Sequence, residues 1–218
     1  SMNGQMDDNS ANNNSAGSYS VAMGNGTTAS GWYSTAMGYN TTASHTASTA
    51  MGQSTTASAA FTTAIGYNTT ASGSYSTAMG RYTTASGVTS TAMGWSTTAS
   101  DYSSTVIGQY NSSGSSATSA NSYFSFSTSA PAFVIGNGAD SSNRSDAFKV
   151  MFNGDTTVSN DLTVSGDVVI SSDARLKSNI VSLGSTLSKL LQIDGKSYEM
   201  KGKQKIGVLA QEIKEVFP

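Results

Sequence analysis

Ser34-Thr35-Ala36-Met37-Gly38-Tyr39-Asn40-Thr41-Thr42-Ala43-Ser44-His45-Thr46-Ala47 runs directly into Ser48-Thr49-Ala50-Met51-Gly52, which opens the same phrase again. Reading outward from this junction, glycine recurs at Gly24, Gly38, Gly52, Gly66, Gly80, Gly94 and Gly108, always fourteen residues apart. Each follows a Met or Ile: Met23, Met37, Met51, Ile65, Met79, Met93 and Ile107. Before these stand Ala22, Ala36, Ala50, Ala64, Ala78, Ala92 and then Val106. A Thr-Thr-Ala-Ser block fills 27–30, 41–44, 55–58, 69–72, 83–86 and 97–100. This is an internal repeat in register.

A helical-hairpin repeat needs roughly 33 residues or more, so a solenoid of helices is excluded. Ser, Thr, Tyr and the β-branched residues favour extended chain, and glycine supplies turn conformations that other residues resist. Alternation such as Tyr33-Ser34-Thr35-Ala36-Met37 fits a short strand with one buried face. The unit is therefore one coil of a β-solenoid, two short strands and two turns, stacked ~4.8 Å on the next. The Met column is expected in the core, because Met fills irregular gaps. Such an interior is thin, so sideways association of chains would bury the Ala–Met edge. A homotrimer about a three-fold axis suits a fibre.

Composition sets the outer bounds. Of 218 residues, 37% are hydrophobic and 11% charged, against roughly 45–50% and 25% in ordinary globular domains. A net charge of −2 gives no basic field for a phosphate backbone, so nucleic acid is not an expected partner. The absence of cysteine excludes disulfides and thiolate chemistry, and a single histidine excludes a His-rich metal site. Neither an apolar run long enough to span a membrane nor a signal peptide is visible, and Ser1–Met2 reads as a cloning scar. Residues 1–139 carry only Asp7, Asp8, Arg81 and Asp101, while 140–218 carry the other twenty charges. That imbalance marks two regions built on different principles.

Gly-x-x-x-Ser-Thr-Ala-Met-Gly with Thr-Thr-Ala-Ser between resembles the head of trimeric autotransporter adhesins of the YadA type, over roughly 15–140. The resemblance implies a mainly β fold, a trimeric left-handed parallel β-roll of 14-residue coils. After Gly108 the period falters through a Ser-rich stretch, 111–131, holding Tyr123-Phe124-Ser125-Phe126. Phe133-Val134-Ile135-Gly136 then returns two periods on.

Ala147–Phe152 runs into Asn153-Gly154, a tight-turn signal. Beyond it, Val158, Val164 and Ile170 are six apart, as are Leu162 and Val168, which resembles the triple-stranded β stem of phage fibres. Helical spacing starts near the end, with Leu183, Leu187, Leu190 and Leu191, then Leu209, Ile213, Val216 and Phe217. Lys196–Lys201, carrying Tyr198, reads as a strand. The expected domains are 1–14, a disordered or tag-bearing N-terminus; 15–140, the head repeats; 141–171, the stem; and 172–218, a small α+β segment.

That last segment opens with Ser172-Asp173-Ala174-Arg175-Leu176-Lys177-Ser178-Asn179-Ile180. With Leu183, Tyr198, Ile206-Gly207-Val208-Leu209-Ala210-Gln211-Glu212 and Val216-Phe217-Pro218, it resembles the C-terminal intramolecular chaperone of endosialidase-type tail spikes. The family usually continues well past the point matching Pro218, so the copy here reads as truncated. The resemblance implies a Ser–Lys dyad that cuts the chaperone off after three chains have folded. Ser172 matches the nucleophile and Lys177 its partner, with the scissile bond between Ser171 and Ser172. Asp173, Arg175 and Asn179 would support the loop. A hydroxyl becomes a good nucleophile once a base takes its proton, which a desolvated Lys can do.

Other residues have two readings each. Trp32, Tyr39, Tyr67, Tyr82, Trp95 and Tyr110 fall at or beside turns; they either stack between coils or offer a glycan-binding face. His45 reads as a surface turn residue, with a ligand or a pH switch as its other reading. Asp140, Asp146, Asp155, Asp161 and Asp167 match no calcium loop and read as solvated turns, so neither metal nor cofactor is expected. Two functions follow. One is a fibre or adhesin tip, on a virion tail or a bacterial surface, that binds a host or prey cell-surface receptor (a glycan, or a protein). The other is the structural stalk of an enzyme-bearing tail spike. Residues 1–139 hold no Glu and only three Asp, which argues against glycoside hydrolysis there; the chemistry expected is single-turnover self-cleavage.

Overall fold

The computed structural model describes residues 6–7, 14–15, 17–112, 127–165, 186–200 and 203–216. It divides into two units, 1–163 and 164–218.

The first unit is a β-solenoid whose period is the period of the sequence. Each coil has a five-residue strand (Val21–Asn25, Thr35–Tyr39, Thr49–Gln53, Thr63–Tyr67, Thr77–Arg81, Thr91–Trp95, Thr105–Gln109). A two-residue strand follows at Thr28–Ala29 and at fourteen-residue steps to Thr98–Ala99. The long strands pair in parallel in one sheet and the short strands in a second. Register is strict: Thr77, Ala78, Met79, Gly80 and Arg81 lie against Thr91, Ala92, Met93, Gly94 and Trp95.

Two alanines from each coil meet in the interior. Ala22, Ala36, Ala50, Ala64, Ala78 and Ala92 come from the long strands, and Ala29, Ala43, Ala57, Ala71, Ala85 and Ala99 from the short ones; all are buried. A hydroxyl stands on either side. Ser20, Ser34, Ser48, Thr62 and Ser104 donate to the carbonyl three residues back, as Ser34 Oγ does to Gly31 O at 2.8 Å. Across the core the threonines behave differently: Thr41, Thr55, Thr69, Thr83 and Thr97 are buried with no hydrogen-bond partner for Oγ1. With two strands this close, the interior holds only methyl- and hydroxyl-sized groups.

The Met column expected in the core therefore lies elsewhere. Side chains alternate along a strand, so when Ser34 and Ala36 point inward, Thr35 and Met37 point outward. Met23 and Met93 are 41% and 42% exposed, and Met37, Met51, Ile65 and Met79 are half-buried. The column forms an apolar stripe on the outer face of the long-strand sheet.

Each coil turns twice, using left-handed backbone at both corners. Tyr19, Tyr33, Ala47, Phe61, Tyr75, Thr89 and Ser103 hold one corner (φ 52–62°), and Gly26, Asn40, Ser54, Asn68, Tyr82, Ser96 and Tyr110 the other (φ 41–65°). The Met–Gly glycines are constrained twice. Gly66 has φ +127°, and a Cβ there would sit 2.0 Å from the carbonyl oxygen of Gly80 in the next coil.

The array ends on a side chain. In the regular coil a short-strand Thr N–H bonds the carbonyl thirteen residues on, as Thr84 does to Thr97 O at 2.9 Å. At Thr98 that place is taken by the Asn111 carboxamide, whose Oδ1 accepts the Thr98 N–H (2.8 Å) while Nδ2 donates to Thr98 O (3.0 Å). The amide imitates one more peptide and closes the sheet edge. On the other sheet, Pro131–Asn137 adds in parallel to Thr105–Gln109, so the return of Phe-Val-Ile-Gly resumes the array. Asp146–Met151 and Thr156–Val158 then add antiparallel, joined at Asn153-Gly154. The described beginning of the expected stem is thus a hairpin on the end of the solenoid sheet, since the tight Asn-Gly turn reverses the chain. Val158, Leu162 and Val164 are exposed, while Val168 and Ile170 lie outside the described residues.

The second unit contains a short helix, Leu187–Leu190, the antiparallel pair Lys196–Met200 and Lys203–Gly207, and the helix Ala210–Val216. Lys196 Nζ bridges Asp194 (2.9 Å) and Glu212 (3.2 Å), tying that helix to the hairpin. Leu191 and Ile206 are strongly exposed.

Two substitutions at one coil test this packing. Gly66→Ala forces a Cβ against the next coil in a conformation L-residues avoid and should cost about 2–4 kcal/mol. Thr69→Val removes a buried, unpartnered hydroxyl at constant shape and should gain about 1 kcal/mol. Thermal unfolding followed by far-UV circular dichroism should move the midpoint down for the first and up for the second.

Candidate functional site

The aromatic residues singled out in the sequence gather mainly at one corner, where the long strand leaves the sheet. Two columns meet there. The last residue of each long strand runs Tyr39, Gln53, Tyr67, Arg81, Trp95, and the left-handed residue after it runs Asn40, Ser54, Asn68, Tyr82, Ser96, Tyr110. A residue thus lies beside those fourteen and fifteen positions away.

The result is a continuous ridge. Tyr67 and Tyr82 pack edge to face with centroids 5.3 Å apart, and Trp95 and Tyr110 sit at 5.3 Å with planes tilted by 50°. The Arg81 guanidinium lies between them, 5.7 Å from the Tyr67 ring, 5.0 Å from Tyr82 and 5.3 Å from Trp95. Such contacts at exposed rings are worth about 0.5–1 kcal/mol each, enough to favour one orientation of a long side chain. At the far end, Arg144 donates through Nη1 to Ser96 O (2.9 Å) and Asn111 O (3.2 Å). Its guanidinium lies 5.8 Å from the Tyr110 ring.

Electrostatics distinguish this corner from the rest of the array. Arg81 is the only cation in residues 17–112, and residues 17–100 contain no acid. The one acid of the array, Asp101, is buried at the opposite corner. The Tyr67 phenol is held above its usual pKa, first by its hydrogen bond with Tyr82 and then by that phenol's own charge, with Arg81 opposing the shift. The ridge therefore offers exposed ring faces, neutral phenols and one guanidinium fork. That combination can cover sugar C–H groups and donate to hydroxyls or an acidic substituent.

Two of the six candidates stand apart. Tyr39 lies in the same column as Tyr67 but two coils away, with Gln53 between them. Trp32 belongs to the other corner. The ridge residues that the sequence reading passed over are Arg81 and Arg144. The first was readable, being fourteen residues from both Tyr67 and Trp95; the second comes from the loop beyond Asn137 and carries no periodic signal. The opposite corner also holds rings that were not singled out: Tyr19 and Tyr33 stack at 5.3 Å, and Phe61 and Tyr75 at 5.1 Å.

His45 is exposed in its turn, with Nδ1 accepting the Thr46 N–H at 2.9 Å. The Asp140 carboxylate accepts from Asn143 Nδ2, Ser142 N and Asn143 N, which lowers its pKa, and Asp146 accepts from Ser112 N. Among the described residues no cluster of acids and histidines could hold a metal, and no helix is long and apolar enough to cross a membrane. A cavity of about 170 Å³ lies where the last coil meets the hairpin, between Val106, Asn111, Val134, Asp146 and Met151. Ser171, Ser172, Asp173, Arg175, Lys177 and Asn179 lie outside the described residues.

Comparison with known proteins agrees with this architecture. Residues 15–41, 29–55, 43–69, 57–83 and 85–111 each match the YadA head domain repeat, in two copies. Residues 172–218 match the family described as chaperone of endosialidase. No curated protein matches the chain. The chain thus joins YadA-type head repeats to an endosialidase-type chaperone segment, and YadA-type heads are homotrimeric.

Tyr82→Phe removes the phenol that raises the Tyr67 pKa. In a titration followed by NMR of ring-labelled tyrosine, the Tyr67 signal should ionise at higher pH than a free tyrosine, and the variant should bring its midpoint down.

Proposed function

We propose that this chain is part of a homotrimeric surface fibre, a phage tail fibre or a bacterial adhesin. Its head presents the Tyr67–Arg81–Tyr82–Trp95–Tyr110 ridge to a cell-surface glycan. The observation that carries the reading is the ridge itself: three exposed rings, the half-buried Tyr110 and the only cation of residues 17–112, in one continuous column. The outward Met column supports the trimer, because an apolar stripe along the whole array gains from being covered by neighbouring chains. Sugar rings present C–H faces that stack on Trp and Tyr, and a guanidinium reads carboxylate or hydroxyl at the edge. A glycan array probed with the purified trimer tests this. Tyr67→Ala combined with Trp95→Ala should abolish binding while sedimentation still reports three chains; unchanged binding would make the rings packing residues only.

The C-terminal segment assembles the fibre and then leaves it. In this scheme the Ser172 hydroxyl, deprotonated by Lys177, attacks the Ser171 carbonyl. The peptide becomes an ester with a free Ser172 amine, and water opens the ester to give the Ser171 carboxylate. Asp173, Arg175 and Asn179 hold the loop. The match to the chaperone family over 172–218 supports the assignment. Cutting only after trimer closure removes the folding catalyst and leaves slow unfolding, hence kinetic stability. In a chain extended beyond Pro218, mass spectrometry should find a fragment beginning at Ser172. Ser172→Ala and Lys177→Ala should each leave the chain whole. Cleavage that persists in Ser172→Ala would refute the scheme.

A further inference from the structure

Arg81 carries a charge that nothing around it answers. It is the only Lys or Arg in residues 17–112, residues 17–100 contain no Asp or Glu, and Asp101 is buried at the opposite corner. The Arg81 side chain is exposed, and its guanidinium lies against the rings of Tyr67, Tyr82 and Trp95 at 5.7, 5.0 and 5.3 Å. No hydrogen bond or ion pair joins it to another described residue. Rings hold a guanidinium in place without neutralising it, so its N–H donors remain unspent.

A second guanidinium stands at the other end of the Trp95–Tyr110 pair. Arg144 spends Nη1 on Ser96 O (2.9 Å) and Asn111 O (3.2 Å) and lies 5.8 Å from the Tyr110 ring. Ser96 follows the long strand one coil beyond Arg81, and Asn111 follows the strand after that. At ~4.8 Å per coil, the two cations flank the same rings within about two coils of each other. Among the described residues Arg144 pairs with no carboxylate either: Asp140 is engaged by Ser142 and Asn143, and Asp146 by the Ser112 N–H.

Resting on the reading of the ridge as a glycan surface, we infer that its ligand is an acidic glycan, whose carboxylate or sulfate is held by Arg81 between Tyr67 and Trp95. The unanswered charge makes the selection. A neutral glycan lying on the ridge takes Arg81 out of water and returns only hydroxyl acceptors, leaving the charge covered and uncompensated. An acidic group returns a counter-charge and a pair of acceptors that match the guanidinium fork, in bonds roughly twice as strong as neutral ones. Ring faces accept sugar C–H in either case. They supply affinity, and Arg81 supplies the choice between ligands.

A glycan array probed with the purified trimer, followed by titration of its strongest member, tests this. The strongest members should be acidic, and affinity should fall as salt is raised. Methyl esterification removes a carboxylate charge and desulfation removes a sulfate. Whichever treatment weakens binding, by roughly ten- to a hundredfold, identifies the anion. Arg81→Gln should weaken the untreated glycan by a similar factor, while the treated glycan should bind variant and wild type alike. Gln already stands in this column at 53 and 109, so the variant coil should fold. A neutral ligand that needs Tyr67 and Trp95 but ignores Arg81→Gln would overturn the inference and leave the ridge reading standing, as would an acidic one that survives both treatments. No binding at all, or binding indifferent to Tyr67→Ala with Trp95→Ala, would overturn both.

Discussion

Everything in the head depends on the backbone hydrogen bonds between coils and on how closely the coils approach to make them. A Cβ on the Met–Gly glycines would lie 1.9–2.3 Å from the carbonyl of the following coil, so only glycine permits the spacing. Strict spacing makes register strict, and register then places every side chain. Fourteen residues later in sequence means one step along the axis, whatever the residue type. The buried interior is reduced to two alanines and two hydroxyls per coil, a consequence of strands too close to admit anything larger.

That economy pushes the larger side chains outward. The Met and Ile column goes to the outer face of the long strands, where it supports lateral association. The aromatic residues go to the two corners, where left-handed backbone holds them in columns. At one corner the columns mix rings with Arg81 and make a ridge of aromatic faces around one guanidinium. At the other, like stacks on like: Tyr19 on Tyr33 and Phe61 on Tyr75. The two corners are separated by the length of a long strand.

The C-terminal region follows another logic. It holds most of the charge, and its described part is knit by ion pairs such as Lys196 with Asp194 and Glu212. Charges are tolerated there because its strands and helices expose much of their surface, whereas a charge inside the coils would find neither room nor partner. Asp101 is the one acid of residues 17–112, and it is buried at a corner of the array.

The repeat length, the β-solenoid, the glycine column, the hairpin at Asn153-Gly154 and the short C-terminal strand around Tyr198 were all legible in the amino-acid sequence. They rest on local chemistry and on a period that survives without coordinates. The same period carried the Tyr67–Tyr82–Trp95–Tyr110 grouping. What required the tertiary structure was which side of the strand faced in. Alternation alone makes Thr35–Met37 and Ser34–Ala36 equal candidates, and hydrophobicity favours the wrong one; the width of the coil decides for alanine. The Asn111 cap and the reach of Arg144 to Tyr110 join residues with no periodic relation, so no repeat could announce them. The Tyr19–Tyr33 and Phe61–Tyr75 stacks are different again. Their residues were readable, but stacking is a distance, and distance along the stack exists only once the coils are hydrogen-bonded in register.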